Sequence, residues 1–178
     1  MKHILFAGIL ILSYSSFAFG DDAILAKAKV VSSKYCTIGD TIQLSMDVEI
    51  SILNSGKNAV SIDAVYNPTT YRISNSIANY RAGRYEFAMR SEALDNPARL
   101  YESNGKALEA GGSIEVSTSV TVPIGKSGLK NPTGHHFLTL LLPTIQRFSG
   151  RYIQPMLVTS PARFDVEVPN QLHNCQGM

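Results

Sequence analysis

The sequence contains no tryptophan, only two cysteines, no run of consecutive Lys or Arg residues and only one long hydrophobic segment, at its start. The 178 residues carry a formal net charge of only +2. A chain this close to neutral has no general electrostatic attraction for nucleic acid or for an anionic membrane surface. The low charge therefore argues against nucleic acid as a partner.

The hydrophobic segment has the composition of a secretory signal peptide. A short positive start (MKH) precedes an apolar run (ILFAGILILSY) and a small-residue exit (SSFAFG). Ala18 and Gly20 suit the −3 and −1 positions of a cleavage site before Asp21. The run is shorter than the ~20 apolar residues that span a bilayer. We expect residues 1–20 to be removed, residues 21–178 to form one domain, no stable membrane anchor to remain, and the protein to be secreted, most simply to a bacterial periplasm.

The two cysteines, Cys36 and Cys175, predict one disulfide. An isolated pair in an exported chain is most simply oxidised. Neither cysteine belongs to a CxxC motif, so neither redox catalysis nor thiolate binding of zinc is indicated. The bond would connect the C-terminal tail to the end of the first strand.

Most of the chain has the period-two alternation of β-strands. In TIQLSMDVEISI (41–52), apolar residues alternate with polar ones over twelve positions. The turn residues NSGKN follow, and the alternation resumes from Val60 to Tyr66, which predicts a hairpin. LEAGGSIEVSTSVTVPI (108–124) predicts another strand after a Gly-Gly turn. FLTLLLP (137–143) predicts a buried strand, and 26–31, 151–158 and 162–168 predict further short strands.

Many short strands with close turns and no helix alternation predict an all-β fold. The order of GDTIQLSMDVEISILNSGKNAVSI, LEAGGSIEVSTSVTVPI and RYIQPMLVTSPARFDVEV resembles bacterial immunoglobulin-like sandwiches of the fibronectin-III-like and intracellular proteinase inhibitor types. The resemblance implies an antiparallel Ig-like β-sandwich of about seven to nine strands. It covers about half of the expected mature chain. The chain lacks the Cys–Trp–Cys arrangement of antibody domains, and the resemblance transfers no functional residues.

Three histidines are the candidate metal ligands. His135 and His136 are adjacent, so on a strand their side chains would point to opposite faces. A shared ion would require a bulge, or His173 brought close by the disulfide, because zinc and copper sites use three or four donors. The alternative is that His135 and His136 are ordinary polar residues at the end of the loop that precedes the buried strand. We expect no cofactor.

The sequence has no recognisable catalytic motif. Asp47 and Glu49 share the polar face of a strand, where nothing predicts the separated pKa values that acid–base catalysis needs. The serines lie in no GxSxG motif, and Gly111-Gly112 lacks the helix and lysine of a phosphate-binding loop. We therefore expect a protein that is not an enzyme.

The segment from Tyr66 to Tyr101 is rich in interleaved tyrosine and arginine, the residue types enriched at binding hot spots. Its alternation also fits an ordinary half-buried strand whose arginine stems cover the sheet. The candidate binding residues are Tyr71, Arg72, Tyr80, Arg81, Arg84 and Tyr85.

These observations predict an exported, non-catalytic accessory, adaptor or inhibitor-type protein that binds a protein partner in the cell envelope. One alternative is a structural subunit of a pilus-like or surface assembly, which would need a missing or donated strand. The other alternative is a periplasmic metal-binding protein that uses the His135/His136 region. The sequence leaves the partner and the oligomeric state open.

Overall fold

The computed structural model of this chain describes residues 24–67, 70–90, 99–126, 128–148, 150–167 and 173–175. The expected signal peptide, residues 1–20, lies outside this part. The described residues form thirteen strands and one short helix. The strands are β1 Ile24–Ile38, β2 Thr41–Asn54, β3 Val60–Tyr66, β4 Thr70–Ser74, β5 Phe87–Arg90, β6 Arg99–Glu102, β7 Ala107–Leu108, β8 Ser113–Pro123, β9 Gly134–Phe148, β10 Arg151–Ile153, β11 Met156–Ser160, β12 Ala162–Val166 and β13 His173–Asn174, and helix α1 is Ile77–Arg81.

The all-β class is confirmed, but the antiparallel Ig-like sandwich is not. The strands pair into one curled, mixed sheet that forms half of a barrel, with the main order β5-β4-β9-β11-β1-β2-β8. The mixed character comes from β1, which pairs antiparallel with β2 and parallel with both β11 and β13. A sandwich would instead require two separate antiparallel sheets facing each other.

The alternation in β2 predicted the buried face of that strand correctly. The apolar side chains of its core face are almost completely excluded from solvent, at 0–1% exposure: Leu44, Met46, Val48, Ile50 and Ile52. Burying each of these side chains contributes about 1.5–3 kcal/mol. Ile42, at the start of the strand, shares their parity but is exposed.

The predicted hairpin between β2 and β3 is wrong in its pairing. β2 pairs with β1 and β8, whereas β3 pairs with β6, β7 and β9. The side chain of Asn54 holds the intervening loop: its amide donates to the carbonyl oxygens of Asn58 (2.7 Å) and Leu108 (2.9 Å), and its Oδ1 accepts from the Gly56 N–H (3.0 Å). These bonds direct the chain from β2 toward another part of the sheet.

Strand β9 lies at the centre of the fold. One edge pairs with β3 and β4 in succession, and the other pairs with β10, β11 and β12. Its inward side chains include Leu138, Leu140 and Leu142, which are 0% exposed. The apolar run of the sequence is therefore a central strand that is fully buried on its inner face and partly covered on its outer face.

The predicted disulfide is present between Cys36 and Cys175, with their Cα atoms 5.0 Å apart. Cys36 is completely buried in β1, and the neighbouring β13 pairs with β1 through Cys36 and Thr37. The bond thus attaches the C-terminal segment to the edge of β1 that pairs in parallel with β11 and β13. A disulfide is compatible with an exported protein.

Candidate functional site

Residues 75–86, here called the α1 loop, form a compact connection between β4 and β5. The Ser76 hydroxyl caps helix α1 by accepting from the Asn79 N–H at 3.1 Å. The Arg84 N–H then donates to the Asn79 carbonyl oxygen at 2.8 Å, after a turn in which Gly83 has φ +68°. That backbone conformation suits glycine because a Cβ atom would strain it. The loop therefore presents its side chains from an internally bonded backbone.

Five of the six candidate binding residues lie on or beside this loop, and we call them the Tyr/Arg surface: Arg72, Tyr80, Arg81, Arg84 and Tyr85. The Arg72 guanidinium carbon lies 5.0 Å from the centroid of the Tyr85 ring, and its Nη1 is 3.4 Å from the Tyr85 hydroxyl oxygen. The rings of Tyr80 and Tyr85 meet edge-on with centroids 6.5 Å apart. Such contacts hold aromatic side chains in place before a partner arrives.

The Tyr/Arg surface has an excess of positive charge. Arg81 and Arg84 are exposed, and no described carboxylate forms an ion pair with either. The carboxylate of the neighbouring Glu86 contacts other groups: one oxygen accepts from the Asn75 amide at 2.8 Å and the other lies 3.5 Å from His136 Nδ1. The exposed arginines are therefore available to an acidic group.

The sixth candidate, Tyr71, is an interior residue. Its ring is 7% exposed and packs on Phe87, and its hydroxyl donates to the Thr121 carbonyl oxygen at 2.8 Å. Burial raises the pKa of this phenol above its ordinary value. Tyr71 connects β4 to β8 and does not belong to the Tyr/Arg surface.

An apolar row crosses the outer face of the sheet beginning at Leu141 of β9, which pairs with Thr70 of β4. Val158 of β11 pairs with Leu141 of β9, and Leu25 of β1 lies one residue before the registered pair of β1 and β11. Leu25 is 46% exposed and Val158 is 51% exposed; Met156, two residues along β11, is 50% exposed. Contiguous apolar surface of this kind on a folded protein often marks an interaction site.

The two adjacent histidines point to opposite faces of β9, as strand geometry requires. His135 is exposed and pairs with the Asp165 carboxylate, beside which lies the Arg163 guanidinium, with Nη2 3.9 Å from Asp165 Oδ1. The hydrogen bond with His135 lowers the pKa of Asp165, and the positive charge of Arg163 acts in the same direction. This cluster is an exposed cross-strand ion network between β9 and β12.

His136, by contrast, is buried at 1% exposure, stacked on Phe164 with the ring centroids 5.5 Å apart. Its Nε2 lies 3.2 Å from the Pro132 carbonyl oxygen, and its Nδ1 lies 3.5 Å from Glu86 Oε2. Neither the Nδ1 atom nor the Glu86 Oε2 atom has a hydrogen-bond partner. The carboxylate of Glu86, the last residue of the α1 loop, thus meets a buried histidine of β9.

The described residues do not assemble a metal centre. No group of three or more His, Cys, Asp or Glu side chains in this part of the chain is placed to share an ion. Only the backbone of His173 is described, and it pairs with β1 opposite Cys36. The clustering of His135 with His136 on which the metal hypothesis depends is not found, because the strand separates them.

A shallow groove of about 310 Å³ lies on the outer face of β1, β2 and β8. Its lining includes Asp47 and Glu49, the two carboxylates that share the polar face of β2. Asp47 accepts hydrogen bonds from the hydroxyl groups of Ser32 (2.6 Å) and Ser119 (3.1 Å), and these bonds lower its pKa. Glu49 pairs with Lys29. Both carboxylates are thus already used in contacts between strands.

Within the described residues, no helix is both long and apolar enough to cross a membrane. No family model and no curated protein matches the chain. An X-ray structure of a Northeast Structural Genomics Consortium target is similar at 12% identity, covering 86% of this chain and 91% of that chain, with a TM-score of 0.40. A crystal structure of a Bordetella pertussis protein provisionally assigned as ApaA is 13% identical over 84% of this chain and 97% of that chain, with a TM-score of 0.34. Likenesses this distant assign neither a family nor an activity.

Proposed function

We propose that this chain is an exported, non-catalytic binding protein of the bacterial periplasm that recognises a protein partner in the cell envelope through the Tyr/Arg surface. The observation that carries the proposal is the ordered stack of Arg72, Tyr85 and Tyr80 beside the exposed Arg81 and Arg84. Tyrosine and arginine contribute strongly to interface hot spots because each combines a large contact area with polar groups.

The chemistry of the surface suggests the chemistry of the partner. Arg72, Arg81 and Arg84 provide three positive charges, so a partner with carboxylate groups is complementary. The apolar row of Leu25, Leu141 and Val158 lies on the same outer face, in the three strands that follow β4 across the sheet. An acidic protein surface with adjoining apolar side chains would contact both regions and exclude water between them.

A capture experiment tests the proposal. The purified mature protein is immobilised, exposed to an envelope extract, and compared with an Arg81→Glu/Arg84→Glu variant by quantitative mass spectrometry. A Lys57→Glu/Lys106→Glu variant makes the same change in charge on exposed loops elsewhere and is the matched control. We expect the control to retain the proteins captured by the wild type and the arginine variant to lose them. Equal recovery by all three proteins would refute the proposal.

A structural subunit is the second candidate, because one observation favours it. Among the described strands, β8 pairs only with β2, so its eleven residues form one edge of the sheet. An unpaired edge can accept a strand from another chain. Light scattering over a range of protein concentrations separates the candidates: a monomer at every concentration would exclude a self-polymerising subunit.

A further inference from the structure

The two unpartnered atoms of the His136–Glu86 pair face each other. The Pro132 carbonyl can only accept a hydrogen bond, so its contact with His136 Nε2 places a hydrogen on that nitrogen. In a neutral ring, Nδ1 is then a bare acceptor, and it faces a carboxylate oxygen 3.5 Å away. Two buried acceptors in this arrangement repel each other, and each lacks a donor. A single proton between them would satisfy both atoms.

The same carboxylate holds the α1 loop in place. Glu86 Oε1 accepts from the Asn75 amide at 2.8 Å, and Asn75 Oδ1 accepts from the Asn79 amide at 2.7 Å, inside helix α1. The Glu86 N–H also donates to the Ile73 carbonyl oxygen in β4 at 2.9 Å. A shift of the Glu86 side chain would therefore also shift the loop that carries Tyr80, Arg81 and Arg84.

One further acidic group interacts with His136. Asp165 on β12 interacts electrostatically with the His136 ring, with the same sign as Glu86. Arg163 and His135 lie on the opposite face of the sheet and are engaged with Asp165. Phe164, the ring stacked on His136, is apolar and excludes water from the contact.

We propose that a proton held between His136 and Glu86 orders the α1 loop and thereby makes partner binding at the Tyr/Arg surface stronger at acidic pH. The effect on binding rests on the function proposed above, but the ordering of the loop does not. The measurements compare pH 5.5 with pH 8.0, because histidine is the residue type that serves as a charge switch in this interval. Deprotonation restores the repulsion between the two acceptors and loosens Glu86 from the loop.

Hydrogen exchange measured by NMR tests the loop without any partner. The reporters are the Arg84 and Gly83 amides, whose hydrogen bonds to Asn79 and Tyr80 exist only in the folded loop. We expect their protection factors, corrected for the intrinsic pH dependence of exchange, to be about tenfold higher at pH 5.5 than at pH 8.0, as expected for one charge-assisted hydrogen bond.

Two variants distinguish a pH effect of the His136–Glu86 pair from an effect of other titrating groups. Glu86→Gln preserves the side-chain shape and supplies an amide donor to Nδ1 at every pH, so protection should become independent of pH. His135→Gln removes the neighbouring exposed histidine and should retain the wild-type change. Equal protection at both pH values in the wild type, or loss of the change in His135→Gln, would overturn the proposal.

Repeating the capture experiment at both pH values completes the test. Stronger capture at pH 5.5 by the wild type, and capture independent of pH by Glu86→Gln, supports the regulation. If the arginine variant loses capture but wild-type capture does not depend on pH, the binding function stands and the regulation is refuted. If the loop responds to pH but the arginine variant still captures the same proteins, the binding function fails and the regulation of that surface fails with it.

Discussion

The disulfide between Cys36 and Cys175 should be a large single contribution to the stability of this protein. The bond joins residues 139 positions apart. In the chain-entropy model, closing a loop of this length removes about 17 cal/mol/K of entropy from the unfolded chain, or about 5 kcal/mol at 25 °C. The parallel strand β13 pairs with β1 at only two positions, so we expect it to fray once the bond is reduced. Fraying increases the entropy of the reduced native state. We therefore expect reduction of the bond to lower the free energy of unfolding by about 2–4 kcal/mol.

Urea denaturation followed by circular dichroism measures this loss directly. The free energy of unfolding is determined for the mature protein with and without a reducing agent. The Cys36→Ala/Cys175→Ala variant is treated in the same way and should not respond to the reductant. Because Cys36 is completely buried, the variant also loses packing, and its difference from the reduced wild type isolates that part.

A difference below about 1 kcal/mol between the oxidised and reduced wild type would refute this reasoning. It would mean that the unfolded chain is already compact enough to keep the two segments close, or that strain in the oxidised native state cancels the constraint. A reduced protein that fails to fold at all would mean that the bond contributes at least the whole free energy of unfolding of the oxidised protein.

Two further predictions concern side-chain hydrogen bonds. Tyr71→Phe removes a buried hydroxyl and leaves the Thr121 carbonyl oxygen without its donor. The free energy of unfolding, measured by urea denaturation, should therefore fall by about 1–2 kcal/mol. Tyr152 is exposed, so the control Tyr152→Phe should change it by less than about 0.5 kcal/mol. The hydroxyl groups bonded to Asp47 lower its pKa in the folded state, so its contribution to stability is complete above the ordinary carboxyl pKa and is lost as the pH falls through the lowered value. Asp47→Asn should therefore reduce the dependence of the urea midpoint on pH between about pH 5 and pH 2, and an unchanged acid dependence would contradict this assignment.

Much of the strand content followed from local alternation. The core face of β2 follows from its period-two pattern, because side chains of alternate residues must point to opposite faces. The same rule placed His135 and His136 on different faces of β9. Alternation does not specify which strands are neighbours, however, and the predicted hairpin of β2 and β3 failed for that reason. The hydrogen bonds of Asn54 that separate those strands involve a residue in another loop, Leu108, which local sequence does not indicate.

The candidate site was predictable in its residue types but not in its limits. The tyrosines and arginines are visible in the sequence, and the structure shows the turn at Gly83 that presents them. Tyr71 and Arg72 have the same residue types as the other candidates, yet they are adjacent on β4, so the tyrosine points into the core and the arginine to the outer face. Nothing local in the sequence indicates a role for Glu86, because its contact with His136 joins positions fifty residues apart.

The sequence by itself determined the all-β class, the pair of cysteines that forms the disulfide, and the inner face of the longest alternating strand. These properties depend on side-chain period and on residue chemistry, which act locally or need only two partners. Only the tertiary structure decided that β1 pairs parallel with β11 and β13, that the sheet curls into half of a barrel, and that the buried histidine meets the carboxylate of Glu86. Those features arise from contacts between distant segments, where many registers satisfy the same alternation and only packing of the whole chain selects one.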